Sequence, residues 1–315
     1  TVNGGNGGNG GSSKTGGAAT GGAATGGAAT GGAATGGSEN GGTTGTGGAA
    51  TGGSATGGSG TGGGTGTGNG SPGCGSANAL KSGNFSEKIN NVDRKWILDV
   101  PSGYDNSKPT RLIFVWHPLM GTADQVAQGG YNGLKSLSNN TTIFVAPNGV
   151  QGSNQEASGN GWWNKDDVDV KFLEAMLKKL NEGLCIDQER IFTTGFSFGG
   201  MMSYTMPFVF NVFRATAPCS GKSGVIPYTA KVSDAIPIMA FHGTSDQVCS
   251  LPLAKDFFQK FLTRNGCGTE TKQVSPSPCV EYQGCKVQTI WCQFSGQHEQ
   301  WREEPAAIWK FFSQF

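Results

Sequence analysis

Residues 190–204 read RIFTTGFSFGGMMSY, and this stretch decides the fold. Arg190–Thr194 is a short β-like block. It runs directly into Gly195-Phe196-Ser197-Phe198-Gly199-Gly200, after which the text from Met201 onward is helical in pattern. Gly-x-Ser-x-Gly between a strand and a helix is the pattern of a nucleophile elbow. The serine occupies a strained turn, small flanking residues let strand and helix approach closely, and its hydroxyl is presented at the end of the sheet. The N–H of the following residue, Phe198, then faces the position of a developing oxyanion. Five residues of this kind recur by chance in Gly/Ser-rich chains, so the context carries the weight.

Upstream, Lys95–Val100 reads as a strand ended by Pro101-Ser102-Gly103. Arg111–Trp116 (RLIFVW) and Thr142–Ala146 (TIFVA) are continuous apolar runs, the signature of strands buried on both faces. Val168, Phe172, Met176 and Leu180 are spaced as one helical stripe over Val168–Leu184, with Asp166 or Asp167 as the expected cap. Downstream, Phe213–Ala217, Ile236–Phe241 and Val287–Phe294 read as strands, and Pro252–Thr263 and Glu304–Phe312 as helices. Short buried strands alternating with helices predict an α/β layer fold with a mostly parallel central sheet and helices on both faces.

In such a sheet the site lies beyond the strand ends. After an elbow serine, the chain order requires an acid and then a histidine. Only His117, His242 and His298 are present, and His298 alone follows the last strand, in Ser295-Gly296-Gln297-His298. Asp246 lies in His242-Gly243-Thr244-Ser245-Asp246, directly after the Ile236–Phe241 strand. Asp234 precedes that strand, and Asp256 falls in a helix. The expected set is therefore Ser197 as nucleophile, His298 as general base and acid, and Asp246 as the group orienting the imidazole. That order predicts the α/β-hydrolase fold. The second oxyanion donor is expected from the loop His117-Pro118-Leu119-Met120-Gly121. Proline has no N–H, which leaves Leu119. His117 and His242 read as structural. Trp162, Trp163 and Trp301 are candidates for flat substrate-binding surfaces. This chemistry requires no metal and no organic cofactor.

Composition divides the chain. Residues 1–73 hold 33 of the 55 glycines, with Lys14 and Glu39 as the only ionisable side chains, and Thr15–Thr35 spans four copies of TGGAA. Without large apolar side chains after Val2, this tract cannot offset the entropy of folding, and it reads as a disordered linker. Its expected root-mean-square span is about 45 Å. Residues 74–315 carry the expected catalytic domain, with 22 Lys+Arg against 21 Asp+Glu once Lys14 and Glu39 are set aside. Nothing in that balance suggests electrostatic capture of nucleic acid or of an anionic membrane, and no run of 18 apolar residues offers a membrane span.

All eight cysteines fall after residue 73, without CxxC pairs, so disulfides and an oxidising compartment are expected. Cys279–Cys285 and Cys267–Cys292 are the easiest pairings to draw, and Cys249 and Cys292 are placed to brace the acid and base loops. Asn84, Asn139 and Asn140 begin glycosylation sequons. The chain starts without an initiating methionine or a signal peptide, as a processed secreted form or a fragment would.

With these residues in place, the domain resembles carbohydrate esterase family 1, the group of fungal feruloyl esterases and acetyl xylan esterases related to polyhydroxybutyrate depolymerases. The resemblance rests on CGS at 74–76, the strand ending in His117, APNG at 146–149, GWWN at 161–164 and DDVDVKFL at 166–173. It continues through 185–204, FHGTSD at 241–246 and WCQFSGQH at 291–298. It implies the same three residues, Ser197, Asp246 and His298, and a secreted, monomeric esterase. The implied partners are plant cell-wall polysaccharide esters, above all ferulate on arabinoxylan, with acetyl xylan or a polyester as alternative substrates. A non-catalytic carbohydrate-binding module of the same fold is the alternative from another class. Relatives have glycine after the strand-end histidine where this chain has Pro118. The tract 1–73 resembles linkers that join such domains to carbohydrate-binding or docking modules.

Overall fold

The computed structural model describes residues 69–315. Residues 1–68, most of the expected linker, lie outside the described residues. Gly70 forms a bridge to Asp187, and Ser71 donates to the Ile186 carbonyl at 2.8 Å. A disulfide from Cys74 to Cys185 follows at once. The last residues assigned to the linker by composition are thus hydrogen-bonded into the domain.

The first hairpin pairs β1 (Gly83–Ile89) with β2 (Val92–Asp99). Its two turn residues, Asn90 and Asn91, both have positive φ, which a two-residue turn matched to strand twist requires. Then come β3 (Thr110–Trp116), α1 (Ala123–Gln128), α2 (Leu134–Leu137), β4 (Thr142–Pro147) and a small hairpin of β5 (Val150–Ser153) and β6 (Ser158–Gly161). A 3₁₀ turn over Lys165–Asp167 leads into α3 (Val168–Gly183), then β7 (Ile186–Phe196), α4 (Phe198–Val209), β8 (Ala215–Cys219) and β9 (Ile238–Gly243). The chain closes with α5 (Leu251–Asn265), β10 (Thr271–Gln273), β11 (Cys279–Tyr282), β12 (Thr289–Phe294) and α6 (Glu304–Phe312).

Ten strands form one sheet in the order β1-β2-β4-β3-β7-β8-β9-β12-β11-β10. The six central strands, β4 to β12 in that order, run parallel, and antiparallel pairs extend both edges. This is the α/β-hydrolase architecture with a mixed, mostly parallel sheet. On β3, Leu112, Phe114 and Trp116 enter the core under α3, α4 and α5, while Ile113 and Val115 enter the core under α1, α2 and α6. Both faces are buried, so the strand reads as a continuous apolar run.

Two expectations are corrected. The start of α3 is not capped by Asp166 or Asp167. Asn164 does this instead, its Oδ1 accepting the N–H groups of Asp169 and Val170 at 3.1 and 3.2 Å. Six cysteines are bridged, not eight: Cys74–Cys185, Cys267–Cys285 and Cys279–Cys292. The antiparallel register sets Cys279 directly opposite Cys292, which excludes the pairings Cys279–Cys285 and Cys267–Cys292. Cys219 and Cys249 are buried free thiols.

Candidate active site

Ser197 closes β7 and caps α4 with φ 57° and ψ −116°, a conformation costing of order 1–3 kcal/mol in a residue with a side chain. The surroundings hold it there. Its N–H donates to the Cys219 carbonyl at 2.9 Å, and its carbonyl accepts from Met201 at 2.9 Å. A Cβ on Gly195 would lie 2.6 Å from the Gly199 oxygen. One on Gly199 or Gly200 would overlap the carbonyl oxygens of Trp116 and Cys219. The glycines of the elbow are therefore imposed by the close approach of α4 to β3 and β8.

The structure brings Ser197, His298 and Asp246 together. His298 Nε2 lies 2.8 Å from Ser197 Oγ, and its Nδ1 lies 2.8 Å from Asp246 Oδ2. Asp246 Oδ1 accepts the N–H groups of Val248 and Cys249 at 2.9 and 2.7 Å, which fixes the carboxylate in rotation. Cys249 thus supports the acid loop through its backbone, not through the disulfide expected there. Burial pushes its thiol up to about 12, so it stays protonated. The Asp246 and His298 loops are stitched together by Ser245 N–H donating to the Gly296 carbonyl and Thr244 N–H to that of Phe294, both at 2.9 Å. All three side chains sit at the carboxyl ends of parallel strands β7, β9 and β12.

His117 and His242 support this frame. His117 is fully buried; its Nε2 accepts the Gly149 N–H at 2.8 Å, so Nδ1 carries the proton and donates to the Pro118 carbonyl at 2.7 Å. Burial lowers its pKa to about 4, which keeps the ring neutral. The Pro118 carbonyl also accepts from Gly121 at 2.9 Å. In a trans peptide C=O and N–H point in opposite directions, so anchoring that carbonyl aims the Leu119 N–H away from His117. Leu119 and Phe198 both line the cavity at Ser197. Phe198, as the first residue of α4, has no intrahelical acceptor for its N–H. His242 donates from Nε2 to the Cys249 carbonyl at 2.7 Å and lies 3.5 Å from Asp246 Oδ2. Burial lowers its pKa, so it too is neutral.

The cavity above Ser197 measures about 130 Å³. Leu119, Trp163, Phe198, Met201 and Val225 give it apolar walls. An ion pair from Lys222 to Glu156 at 2.6 Å stands at its rim. Trp163 packs edge-on against Phe198 with ring centroids 5.0 Å apart, and its Nε1 donates to the Gly159 carbonyl. Trp162 does not reach the cavity. It is fully buried and its Nε1 donates to the His117 carbonyl, so its place among the substrate-binding candidates is corrected to a structural one. Trp301 stacks on Phe294 at 5.9 Å and does not line the cavity either. Sequence reasoning missed Asn154, Glu156, Lys222 and Val248, which come from loops without periodicity or motif.

With the geometry established, comparison with known proteins is informative. Feruloyl esterase D of Neurospora crassa is 32% identical over 270 residues, covering 77% of this chain and 90% of that protein. The chain belongs to carbohydrate esterase family 1, in its fungal feruloyl and acetyl xylan esterase group. Feruloyl esterase C of Emericella nidulans is another member at 32% identity, with 76% of this chain and 90% of that protein covered. A family model described as Phospholipase/Carboxylesterase matches residues 138–283, which includes Ser197 and Asp246 and stops short of His298. Among solved structures, a ferulic acid esterase from Anaeromyces mucronatus aligns with TM-score 0.53 at 18% identity, covering 74% of this chain and 89% of that one. An acetyl xylan esterase from Aspergillus awamori aligns with the same score at 17%, covering 73% and 99%. At those identities the two structures attest to the fold alone, and this esterase family member shares it.

Proposed function

We propose that this carboxylic ester hydrolase removes feruloyl groups from plant cell-wall arabinoxylan, using Ser197, His298 and Asp246 as its catalytic triad. The carrying observation is the hydrogen-bonded chain from Ser197 through His298 to Asp246, 2.8 Å at each link, at the floor of an apolar cavity. His298 Nε2 accepts the Ser197 hydroxyl proton as Oγ attacks the ester carbonyl. The oxyanion is held by the N–H groups of Phe198 and Leu119. Collapse of the tetrahedral intermediate breaks the bond to the sugar oxygen, which takes the proton from His298 and leaves. Water then gives a proton to His298 and attacks the acyl-serine, and a second collapse returns the proton to Ser197 and frees the acid. Asp246, hydrogen-bonded to Nδ1, orients and compensates the imidazolium.

The apolar walls, with Trp163 set edge-on to Phe198, favour a flat aromatic acyl group over acetate. Three disulfides fit an oxidising, extracellular setting, and we infer secretion on that ground. The test is a panel of methyl ferulate, acetylated xylan and short polyhydroxybutyrate. A kcat/KM for methyl ferulate at least tenfold above the others is expected. Hydrolysis of acetylated xylan with none of methyl ferulate would overturn the acyl assignment.

A further inference from the structure

Beside the cavity over Ser197 the described residues form a groove of about 910 Å³. Asn154, Trp163 and Val225 line both spaces, so the groove adjoins the cavity over Ser197. Its floor is apolar, formed by Trp163, Val168 and Ile226 with the ring of Tyr228 alongside. Its rim carries Asn90, Lys165, Asp166 and Lys260. All four rim residues are exposed. Among the described residues, neither Lys165, Asp166 nor Lys260 takes part in an ion pair. The rim thus presents ammonium donors, a carboxylate acceptor and an amide that does both, with charges of both signs. Such a lining suits a neutral chain bearing many hydroxyls and gives no reward to a uniformly charged one.

The walls are held before any ligand arrives. Asn90 Nδ2 donates to the Asp166 carbonyl at 3.2 Å, tying the β1–β2 turn to the 164–167 segment. Asn164 Nδ2 donates to the Pro227 carbonyl at 2.6 Å, tying that segment to the 225–228 wall. Asn164, Asp166 and Asp167 all have left-handed φ, between 45° and 58°, so the segment is held in a strained path beside the groove. The volume lies in the upper part of the range found for ligand sites, about 300–1,000 Å³, whereas the cavity over Ser197 measures only about 130 Å³.

We propose that this groove binds the pentose chain to which the scissile ester is attached, with Lys165, Asp166 and Lys260 as specificity-determining residues for the sugar side. The proposal rests on Ser197 being the esterase nucleophile. It is tested with the variants K165A/K260A and D166G, the glycine suiting the left-handed φ of Asp166. Each is assayed on methyl ferulate, on a feruloylated arabinoxylan oligosaccharide and on short hydroxybutyrate oligomers. Loss of two hydrogen bonds to hydroxyls should lower kcat/KM for the oligosaccharide relative to methyl ferulate about tenfold, through KM. An unchanged ratio in both variants, with wild-type protein active on both esters, overturns the groove assignment alone. So does a loss confined to hydroxybutyrate oligomers, which would make the groove a polyester site. Wild-type protein that hydrolyses neither feruloyl ester overturns the underlying esterase reading, and the groove falls with it.

Discussion

Replacing Asp246 by asparagine should abolish turnover while leaving the fold intact, and the structure dictates why. Asp246 Oδ1 accepts two backbone N–H groups, from Val248 at 2.9 Å and Cys249 at 2.7 Å. An amide NH₂ cannot face two donors, so the asparagine must turn its oxygen to them and its NH₂ to His298 Nδ1. That nitrogen then becomes an acceptor, and the imidazole proton moves to Nε2, the atom 2.8 Å from Ser197 Oγ. An Nε2–H donates to the serine and cannot take its proton. Trapping the wrong tautomer in a serine triad costs about 10⁴-fold in kcat, or about 5.5 kcal/mol of transition-state stabilisation. Because every hydrogen bond is kept in altered polarity, thermal denaturation should shift by less than about 2 °C, under 1 kcal/mol for a domain of this size. The assay is steady-state hydrolysis of methyl ferulate at pH 7, beside a melting curve. Activity within tenfold of wild type would refute the orienting role of Asp246, whatever the stability.

Asp169→Ala should destabilise by about 3–5 kcal/mol, since it strands a buried charge. Arg94 and Asp169 pair at 2.7 Å with both side chains inaccessible, and Asp169 also accepts the Asn164 N–H. A urea midpoint within error of wild type would contradict this, and the double variant R94M/D169L should recover most of the loss. Burial raises the Glu304 carboxyl from 4.5 to about 7. The folded state keeps a proton that the unfolded chain releases, so its stabilising contribution is complete below pH 4.5 and is lost as pH rises through 7. The decline is about 3 kcal/mol at 1.36 kcal/mol per pKa unit. Urea melts from pH 4.5 to 8 should show it, and Glu304→Gln should flatten the profile; an unchanged slope in the variant would rule Glu304 out as the source. Gly199→Ala forces a methyl group into the Trp116 carbonyl and should cost about 1–3 kcal/mol or more. Full stability and activity in that variant would show that the elbow has slack the structure does not reveal.

Much of the fold is legible in the sequence because the central strands are buried on both faces. Apolar runs as short as RLIFVW at 111–116 and TIFVA at 142–146, bounded by polar residues, suit a strand covered by helices on each side and little else. The helix expected at Glu304–Phe312 has those bounds in the structure. The strand expected at Phe213–Ala217 lies at Ala215–Cys219, displaced by the irregular entry at Phe213 and Arg214. Edge elements are hidden for the opposite reason. In β1, only alternate residues are half-buried, and the β5–β6 hairpin has too little apolar content to register. One missed element does carry a signal: Thr122 and Gln125 form a reciprocal capping box at the start of α1. The convergence of Ser197, His298 and Asp246 is readable because chain order and strand ends constrain it. The roles of Trp162 and Trp163 are not, since adjacent residues face opposite ways and sequence does not say which faces the cavity. Cysteine pairing requires the β11–β12 register, which no spacing rule contains.

The central claim is that Ser197 is the nucleophile, and covalent trapping tests it most directly. Protein treated with a serine-directed phosphonate is assayed for residual hydrolysis of methyl ferulate and mapped by peptide mass spectrometry. One adduct per chain, on Ser197, accumulating in step with loss of activity and absent from Ser197→Ala, is the predicted result. Inactivation with the adduct on another residue, or wild-type turnover by Ser197→Ala, would contradict it.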